Sequence, residues 1–307
     1  MKIVFFGNPE FAAISLTHLN SFEDIDIKLV ITNPDKKMGR GLTKTMSPVK
    51  KTALKLSYKI LECDDLEDNN LSNILESIQA DLFIVVAYKF IPSSVYKLSK
   101  KGAINLHASL LPKYRGASPI QYALLNGENK TGLTTFYLNN AIDKGRVISQ
   151  IELPINDRIT FNDLYKELSN LSKKILEDTI NKIKLNKDKP IIINNKKNNY
   201  LAPKIKKADY KINWKDTSFN IHNKIRAFSY RGAYGLYSSK RIKFYETYYS
   251  NKSINLDIGA FILGNNNLLL ISTKKGHLQS KYIQIEGSRK ITAIDFMNSN
   301  RIINKFE

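Results

Sequence analysis

Cysteine is almost absent from this sequence, which has a single one, Cys63, among 307 residues. One cysteine cannot form an intrachain disulfide or a cysteine zinc cluster, and its scarcity fits a reducing compartment. The N-terminal apolar stretch is too short for a signal peptide. No later stretch reaches the roughly 18 uncharged apolar residues that a membrane-spanning helix needs. We therefore expect a soluble, cytoplasmic protein with no membrane partner.

Two other features are missing from the sequence. There is no internal repeat, and the first apolar run ends at a lone Gly7 and not in Gly-x-Gly-x-x-Gly. A dinucleotide-binding oxidoreductase is therefore only weakly supported.

Acidic residues are too few to balance the basic ones, and the net charge is +20. Residues 191–307 hold 21 Lys and Arg against 7 Asp and Glu, a balance of +14, whereas residues 1–190 hold 27 against 21, a balance of +6. A general lysine bias would load both parts similarly. The concentration of positive charge in the C-terminal third indicates a polyanionic partner such as a nucleic acid.

The length predicts two domains, and a hydrophobic fraction of 42% argues against global disorder. Alternating strand-like and helix-like segments in the N-terminal part are typical of a Rossmann-like open α/β sheet. We predict strands at residues 2–6, 25–32, 81–87, 103–106 and 133–138, and a helix at residues 11–19. Thr160 and Asp163 form a capping pair for a long amphipathic helix. The Gly- and Lys-rich segment 33–48 has no periodicity and predicts a long exposed loop.

The C-terminal part begins after a polar stretch. We place domain boundaries at 1–189, a linker at 190–207 with an extended piece at 191–193, and a second domain at 208–307. Short strands at residues 233–237, 242–249, 259–263, 268–273 and 282–286, flanked by helices at 218–227 and 292–298, predict a small, OB-like β-barrel.

The segment NLHASLLP, residues 105–112, carries candidate chemistry. Asn105 and His107 share one face of a predicted strand and stand where its apolar run ends, the usual ligand-binding edge of such a sheet. An imidazole can exchange protons near neutral pH, and a carboxamide can donate to a developing oxyanion. Asp143 is a plausible carboxylate partner after the next strand. On these residues alone, a structural histidine at a strand end is the alternative.

The longer stretch NLHASLLPKYRGASPIQYALLNG, residues 105–127, closely resembles the signature of the folate-dependent formyltransferases. IVFFGNPEFA resembles the opening strand and turn of that family, ADLFIVVAY its central strand, and LNNAIDKGRVI the segment that bears its catalytic aspartate. ITNPDKKMGRGL, IHNKIRAFSYRGAY and SRKITAIDFMNSNRI resemble the members that formylate methionyl initiator tRNA.

The resemblance implies a catalytic set. Asn105 and His107 would stabilise the oxyanion that forms when the methionyl amine attacks the formyl carbon of 10-formyltetrahydrofolate. His107, supported by Asp143, would relay the proton toward the folate nitrogen. This direct transfer needs no metal and no protein nucleophile, so Cys63 has no role.

The resemblance also implies binding residues. The folate segment would be Ser109, Leu110, Leu111 and Pro112, and the strand end that lines the pterin pocket would be Val85, Val86, Ala87 and Tyr88. The exposed loop would meet the tRNA acceptor end, with Arg40 reaching the nucleic acid and Lys36, Lys37 and Lys44 adding attraction. In the barrel, the tRNA-binding candidates are Arg226, Arg231 and Lys243. We expect a monomer.

Three rival functions are kept. A formyltransferase for glycinamide ribonucleotide or an amino sugar nucleotide would share the catalytic motif. A stand-alone glycinamide enzyme, however, would not need an extra C-terminal segment of about one hundred residues with basic character. The oxidoreductase lacks its glycine motif. A non-catalytic RNA-binding protein would have no use for an intact set of Asn105, His107 and Asp143.

Overall fold

The computed structural model describes residues 1–38, 43–192, 200–299 and 305–306. The chain divides into two compact units. The first comprises Met1–Gly116, Lys130–Pro154 and Tyr165–Leu201, and the second comprises Ala117–Asn129, Ile155–Leu164 and Ala202–Glu307. Each unit is therefore assembled from three separate stretches of the chain. The domain boundaries expected at residues 189 and 207 stay a prediction.

The first unit is built on parallel strands. The strands described in it are β1 (Lys2–Gly7), β2 (Asp26–Thr32), β3 (Lys36–Met38), β4 (Thr43–Thr45), β5 (Ile60–Glu62), β6 (Leu82–Val86), β7 (Ala103–His107), β8 (Lys130–Tyr137) and β9 (Val147–Pro154). Its helices are α1 (Glu10–Asn20), α2 (Pro48–Lys55), α3 (Asn69–Ile78) and α4 (Ser93–Tyr96). Seven strands form one sheet in the order β5-β2-β1-β6-β7-β8-β9, in which β8 runs antiparallel to both of its neighbours, β7 and β9.

The apolar runs explain why these strands lie at the centre. All residues of β6, LFIVV, are buried, as are the last five of β1, KIVFFG. Continuous apolar runs are expected of parallel strands that are covered on both faces. The five strands predicted in this part of the chain are confirmed with small shifts at their ends. The sequence analysis did not predict β5 or β9.

The segment 33–48 corrects one prediction. It was expected to be a loop, but β3 and β4 pair antiparallel with Lys36 opposite Thr45. Two short strands can satisfy each other's backbone hydrogen bonds without burying apolar side chains. The composition of the segment therefore did not predict the hairpin. Residues 39–42, which include Arg40, lie outside the described residues, as do the side chains of Lys37, Met38 and Thr43.

Helix α6 (Phe161–Lys184) follows the predicted capping pair. The backbone N–H of Thr160 donates to Asp163 Oδ2 at 3.0 Å, and the Thr160 hydroxyl donates to the same oxygen at 2.6 Å. Leu164, Leu168 and Ile183 of this amphipathic helix are fully or almost fully buried. Among the described residues, no helix is long and apolar enough to cross a bilayer.

The second unit contains an antiparallel sheet. Its strands are β10 (Tyr234–Tyr237), β11 (Lys240–Ser250), β12 (Phe261–Leu263), β13 (Leu269–Ser272), β14 (His277–Ile285) and β15 (Lys290–Thr292), and its helices are α5 (Pro119–Leu125), α7 (Ser218–Ala227) and α8 (Ala293–Ser299), with a 3₁₀ turn at Lys207–Tyr210. The order is β10-β11-β14-β13-β12, with β15 also on β14. This curled sheet confirms the small barrel-like domain, and α7 has the predicted bounds.

Aromatic side chains fill the core of the second unit. Phe306 stacks on Phe261 with ring centroids 4.5 Å apart, and Trp214 meets Phe244 edge-on at 5.4 Å. Strand β11 alternates buried and exposed side chains over much of its length, which is typical of an antiparallel strand with one covered face. The sheet is therefore held by one apolar face.

Candidate active site

The carboxyl ends of three parallel strands meet at one edge of the first sheet. Val85 of β6 pairs with Asn105 of β7, and Val86 pairs with Gly7, the last residue of β1. The next residue, Ala87, is exposed and has a left-handed backbone with φ of +46°. An edge of this kind is where open α/β sheets bind ligands.

His107 and Asp143 face each other near this edge. His107 Nδ1 lies 3.8 Å from Asp143 Oδ2, and the two side chains are only 7% and 11% exposed. His107 Nε2 lies 2.9 Å from the carbonyl oxygen of Tyr114. A carbonyl oxygen can only accept, so Nε2 is the donor in this contact. The other ring nitrogen, Nδ1, faces the Asp143 carboxylate.

Asp143 is held by Arg115 and Gly116, which lie within the signature stretch at residues 105–127. The backbone N–H of Gly116 donates to its Oδ2 at 2.8 Å, and Arg115 Nε donates to its carbonyl oxygen at 2.8 Å. Asp143 itself has a φ of +50°, a conformation that few residues other than glycine, Asn and Asp adopt readily. The carboxylate is therefore fixed from both its side chain and its backbone.

Asn105 carries a carboxamide that is available to a ligand. It is half-buried in β7, two residues before His107, so both side chains project to the same face of the sheet. In the described part of the chain, the amide of Asn105 has no hydrogen-bond partner within the protein. The three predicted catalytic residues thus all belong to the first unit, and two of them are in contact distance.

The predicted folate segment, residues 109–112, is fixed by two residues that the sequence analysis did not identify. The Thr134 hydroxyl donates to the Ser109 carbonyl oxygen at 2.6 Å and accepts from the Leu111 N–H at 3.1 Å. Gln150 Nε2 donates to the Leu111 carbonyl oxygen at 2.8 Å and to the Thr134 hydroxyl at 2.9 Å. Thr134 lies on β8 and Gln150 lies on β9. The alternating sequence of β9, VISQIELP, could have predicted that Gln150 lies within a strand.

The eight predicted folate-binding residues differ in exposure. Val85, Val86, Ser109 and Leu111 are buried, and the Ser109 hydroxyl donates to the Lys113 carbonyl oxygen at 2.7 Å. Ala87 is exposed, whereas the half-buried members are Tyr88, Leu110 and Pro112. The buried members support the segment, and the remaining four have surface to offer a ligand.

Tyr88 and Cys63 are joined at the end of β6. The Tyr88 hydroxyl donates to the Cys63 carbonyl oxygen at 3.2 Å, and burial raises the pKa of the Tyr88 phenol. The Cys63 thiol donates to the Asp65 carbonyl oxygen at 2.9 Å, and burial raises its pKa above the ordinary value. A thiol with a raised pKa is a poor nucleophile, which agrees with the absence of a role for Cys63.

Among the described residues, no group of three or more His, Cys, Asp and Glu side chains is placed to hold a metal ion.

The predicted tRNA-binding residues are distributed over both units. Lys36 and Lys44 are exposed on the hairpin of β3 and β4. Arg231 is exposed, with its guanidinium 5.8 Å from the centre of the Tyr230 ring, and Lys243 is half-buried. Arg226 is only 4% exposed, so its guanidinium lies inside the second unit and not on its surface. All seven assignments, including Lys37 and Arg40, stay predictions.

Family models match both parts of the chain. The model described as formyl transferase matches residues 1–180, and the model described as formyl transferase, C-terminal domain, matches residues 204–301. Both matches fall on the segments in which the sequence motifs were found.

Curated relatives match along nearly the whole length. A methionyl-tRNA formyltransferase of Thermodesulfovibrio yellowstonii is 38% identical over 98% of this chain and 96% of its own length. One from Caldicellulosiruptor saccharolyticus is 37% identical over 98% of both chains.

Solved structures agree in fold. WlaRD, a sugar 3N-formyl transferase crystallised with dTDP and 5-N-formyl-THF, is 26% identical with a TM-score of 0.66, over 94% of this chain and 99% of its own. Both the curated relatives and this structure are formyl transferases.

Proposed function

The chain belongs to the formyl transferase family, and we propose that it transfers the formyl group of 10-formyltetrahydrofolate to the α-amino group of methionyl initiator tRNA. The product would be N-formylmethionyl-tRNA, the initiator of translation. The full-length match to methionyl-tRNA formyltransferases at 37–38% identity supports the tRNA substrate over a sugar nucleotide.

The observation that carries the mechanism is the grouping of Asn105, His107 and Asp143. The amine nitrogen forms a bond to the formyl carbon, the bond from that carbon to the folate nitrogen breaks, and one proton passes from the first nitrogen to the second. His107 Nδ1 takes this proton and delivers it, while the carboxylate 3.8 Å away stabilises the imidazolium that exists in between.

Asn105 acts on the oxygen. Its unpartnered amide donates a hydrogen bond to the formyl oxygen as negative charge develops there. Such a donor is most effective when it is already fixed in place, and a side chain on a central strand meets that requirement. The carboxyl edge of the first sheet suits folate as the co-substrate. Exposed Ala87 and half-buried Leu110 and Pro112 offer apolar surface there, and the Asn105 amide offers a hydrogen-bond donor.

Transfer RNA is the expected ligand of the basic C-terminal third. Four of its described basic side chains lie over tyrosine rings, which combines phosphate attraction with base stacking surfaces. Arg241 is 4.8 Å from the Tyr234 ring centre, and Lys290 is 4.4 Å from that of Tyr282. The other two are Lys281, 5.1 Å from the same Tyr282 ring, and Arg231 at Tyr230.

We further propose a catalytic domain at 1–189, a linker at 190–207 and a tRNA-binding domain at 208–307, in a monomeric cytoplasmic protein. Limited proteolysis that cuts first within residues 190–207, and an elution volume of a single 35.1 kDa chain, are the expected results. Stable fragments that end elsewhere, or a dimer at micromolar concentration, would contradict these assignments.

A transfer assay tests the function. Purified protein, 10-formyltetrahydrofolate and methionyl initiator tRNA should yield formylmethionyl-tRNA, and His107→Ala should lower kcat by about a hundredfold or more. His18→Ala is the matched control, because His18 is a half-buried histidine of the same unit that bonds Ser172 at 3.0 Å. Folate binding without any transfer to the tRNA would overturn the proposed substrate, and glycinamide ribonucleotide and amino sugar nucleotides would be tested next.

A further inference from the structure

A half-enclosed cavity of about 190 Å³ lies wholly within the second unit. Its lining includes buried His222, Arg226 and Phe244 together with exposed Arg158 and Tyr248. None of the proposed catalytic residues borders it. The cavity is therefore a separate feature from the site at the edge of the first sheet.

Arg226 brings a buried charge to this cavity. It donates from Nε to Asn223 Oδ1 and from Nη1 to the Asn156 carbonyl oxygen, both at 2.9 Å. In the described portion of the chain no carboxylate lies within 4 Å of its guanidinium, and Asp157 supports the charge only from farther away. A buried guanidinium without an ion-pair partner retains donor capacity for a ligand.

Ser229 adds an unsatisfied polar atom to the same wall. Its hydroxyl oxygen is buried and has no hydrogen-bond partner in the protein. Buried hydroxyls in native structures nearly always have a partner, and the exceptions call for an explanation. An acceptor atom of a ligand inside the cavity would supply one.

The lining residue Glu246 has an unusual backbone conformation and pairs with two lysines. Glu246 lies in strand β11 with a φ of +49°, a conformation that is strained for a residue other than glycine. Its carboxylate is 3.4 Å from Lys281 and 4.0 Å from Lys290, and Lys290 also lies 5.0 Å from the Tyr245 ring centre. Basic side chains therefore gather beside the opening.

The wall chemistry favours a flat ring over a phosphate. Ile225, Phe244 and the ring of Tyr245 make much of the wall apolar, and a phosphate would lose its water there without enough donors to replace it. A cavity of about 150 Å³ is known to hold one benzene ring, so this one has room for a planar heteroaromatic ring. Guanidinium and hydroxyl donors suit the carbonyl oxygens and ring nitrogens at the edge of a nucleobase.

We propose that this cavity receives one unpaired nucleobase of the tRNA, with Arg226 and Ser229 donating hydrogen bonds to its edge. Proteins that read single-stranded RNA commonly take splayed-out bases into such pockets. The proposal rests on the proposed function for the presence of tRNA. A base inside the cavity would be within reach of Arg226, a predicted tRNA-binding residue that is buried and so cannot meet tRNA at the surface.

Variants of Ser229 test the pocket, because Arg226 also ties the chain at Asn156 and its loss could unfold the unit. Ser229→Ala removes an unsatisfied hydroxyl, so the melting temperature should stay equal or rise while tRNA affinity falls about threefold to tenfold. Ser229→Leu fills the cavity and should weaken tRNA binding by about tenfold or more, raising KM without lowering kcat. Ser253→Leu, the same change at an exposed serine of this unit that does not line the cavity, is the control.

Chemical probing of the tRNA bases gives the direct readout. With the parent protein and with Ser253→Leu, the Watson–Crick edge of at least one unpaired base should be protected, and Ser229→Leu should restore its reactivity. Equal protection and equal affinity for parent and Ser229→Leu overturn the pocket, while formyl transfer by the parent leaves the proposed function standing. A parent protein that neither binds nor formylates the tRNA overturns both.

Titration of the four nucleoside monophosphates distinguishes a site for a free nucleotide from a site for a base within RNA. Binding of a monophosphate that is stronger than that of the tRNA would overturn the assignment to RNA.

Discussion

Asp143 is fixed more firmly than its partner histidine. Its side chain accepts from the Gly116 N–H, its carbonyl oxygen accepts from Arg115 Nε, and its backbone adopts a left-handed conformation. The Gly116 contact holds Oδ2, which is also the carboxylate oxygen that lies 3.8 Å from His107 Nδ1. In the proposed mechanism this residue acts on the reaction through the histidine.

Replacing Asp143 by Asn should separate charge from geometry. Asn tolerates the left-handed backbone and can still accept from Gly116, but it cannot stabilise an imidazolium. We expect kcat to fall by roughly 10²-fold, in the range of general acid–base contributions, with little change in KM for tRNA. Steady-state kinetics beside Asp188→Asn, whose carboxylate accepts from Tyr137 at 2.8 Å, provide the comparison. An equal loss in both variants would argue against the assigned role.

His222 makes the stability of the protein depend on pH. Burial lowers its pKa in the folded state, whereas in the unfolded chain the pKa is about 6.5. Between these values the unfolded state binds more protons, so stability is present above about pH 6.5 and is lost as pH falls through the window below it.

Melting temperatures at pH 7.5 and 5.5 check this linkage. His222→Gln should melt lower than the parent at pH 7.5, because the contacts to Thr247 and the Asp157 carbonyl oxygen are altered, but it should lose less on acidification. The melting temperature of the variant should still depend on pH to some extent, because burial also lowers the pKa of His18. Parallel pH curves for the two proteins would contradict the prediction.

At the scale of elements, two attachments hold the segments around the site. The hairpin of β3 and β4 is tied at its base by Lys50, which lies 2.9 Å from Asp35 and 2.6 Å from Glu62. Thr134, on β8, holds the predicted folate segment, residues 109–112, through its hydrogen bonds to Ser109 and Leu111. Both side chains belong to strands or helices that are themselves well packed.

Lys50→Met should loosen the hairpin without touching the catalytic set. If the hairpin meets tRNA, KM for tRNA should rise roughly threefold to tenfold, while kcat and the KM for folate change little. Lys130→Met, which breaks a more exposed pair with Glu152, is the control and should behave like the parent. An unchanged KM in Lys50→Met would show that the hairpin base does not govern tRNA binding.

Thr134→Val should impair both stability and folate binding. The substitution removes the partner of the Leu111 N–H and of the Ser109 carbonyl oxygen in a buried place, and one of the two bonds of Gln150 Nε2. It should lower the free energy of unfolding by about 1–3 kcal/mol. Thr135→Val is the matched control, because Thr135 is equally buried and loses one bond to Thr179. Denaturant titration should show losses in both, but only Thr134→Val should weaken folate binding.

At the scale of the whole molecule, charge is distributed unequally along the chain. Residues 191–307 carry most of the net charge of +20. Binding that releases counterions from phosphates weakens steeply with salt, whereas a small co-substrate releases few.

Raising the salt concentration should therefore act on one substrate more than the other. Between 50 and 200 mM salt we expect tRNA affinity to fall by about 10²- to 10⁴-fold, as for several phosphate contacts, and folate affinity to change far less. Filter binding for tRNA and fluorescence quenching for folate would measure both. A tRNA affinity that is independent of salt would contradict a binding mode based on the basic third of the chain.

The sequence by itself determined the features that depend on neighbouring residues. Buried runs such as LFIVV, the capping pair of Thr160 and Asp163, and the bounds of α7 follow from side-chain period and local hydrogen bonding. The motif around Asn105 and His107 likewise identified the strand end at the ligand-binding edge.

Only the tertiary structure decided which distant residues meet. It turned the expected loop into a hairpin, buried Arg226, and brought the Tyr114 carbonyl oxygen to His107 and Gln150 to Leu111. These contacts join residues that are far apart in sequence or lie in irregular turns, where period and composition carry no signal. They are set by packing, because a buried polar group must find its partner wherever the folded chain supplies one.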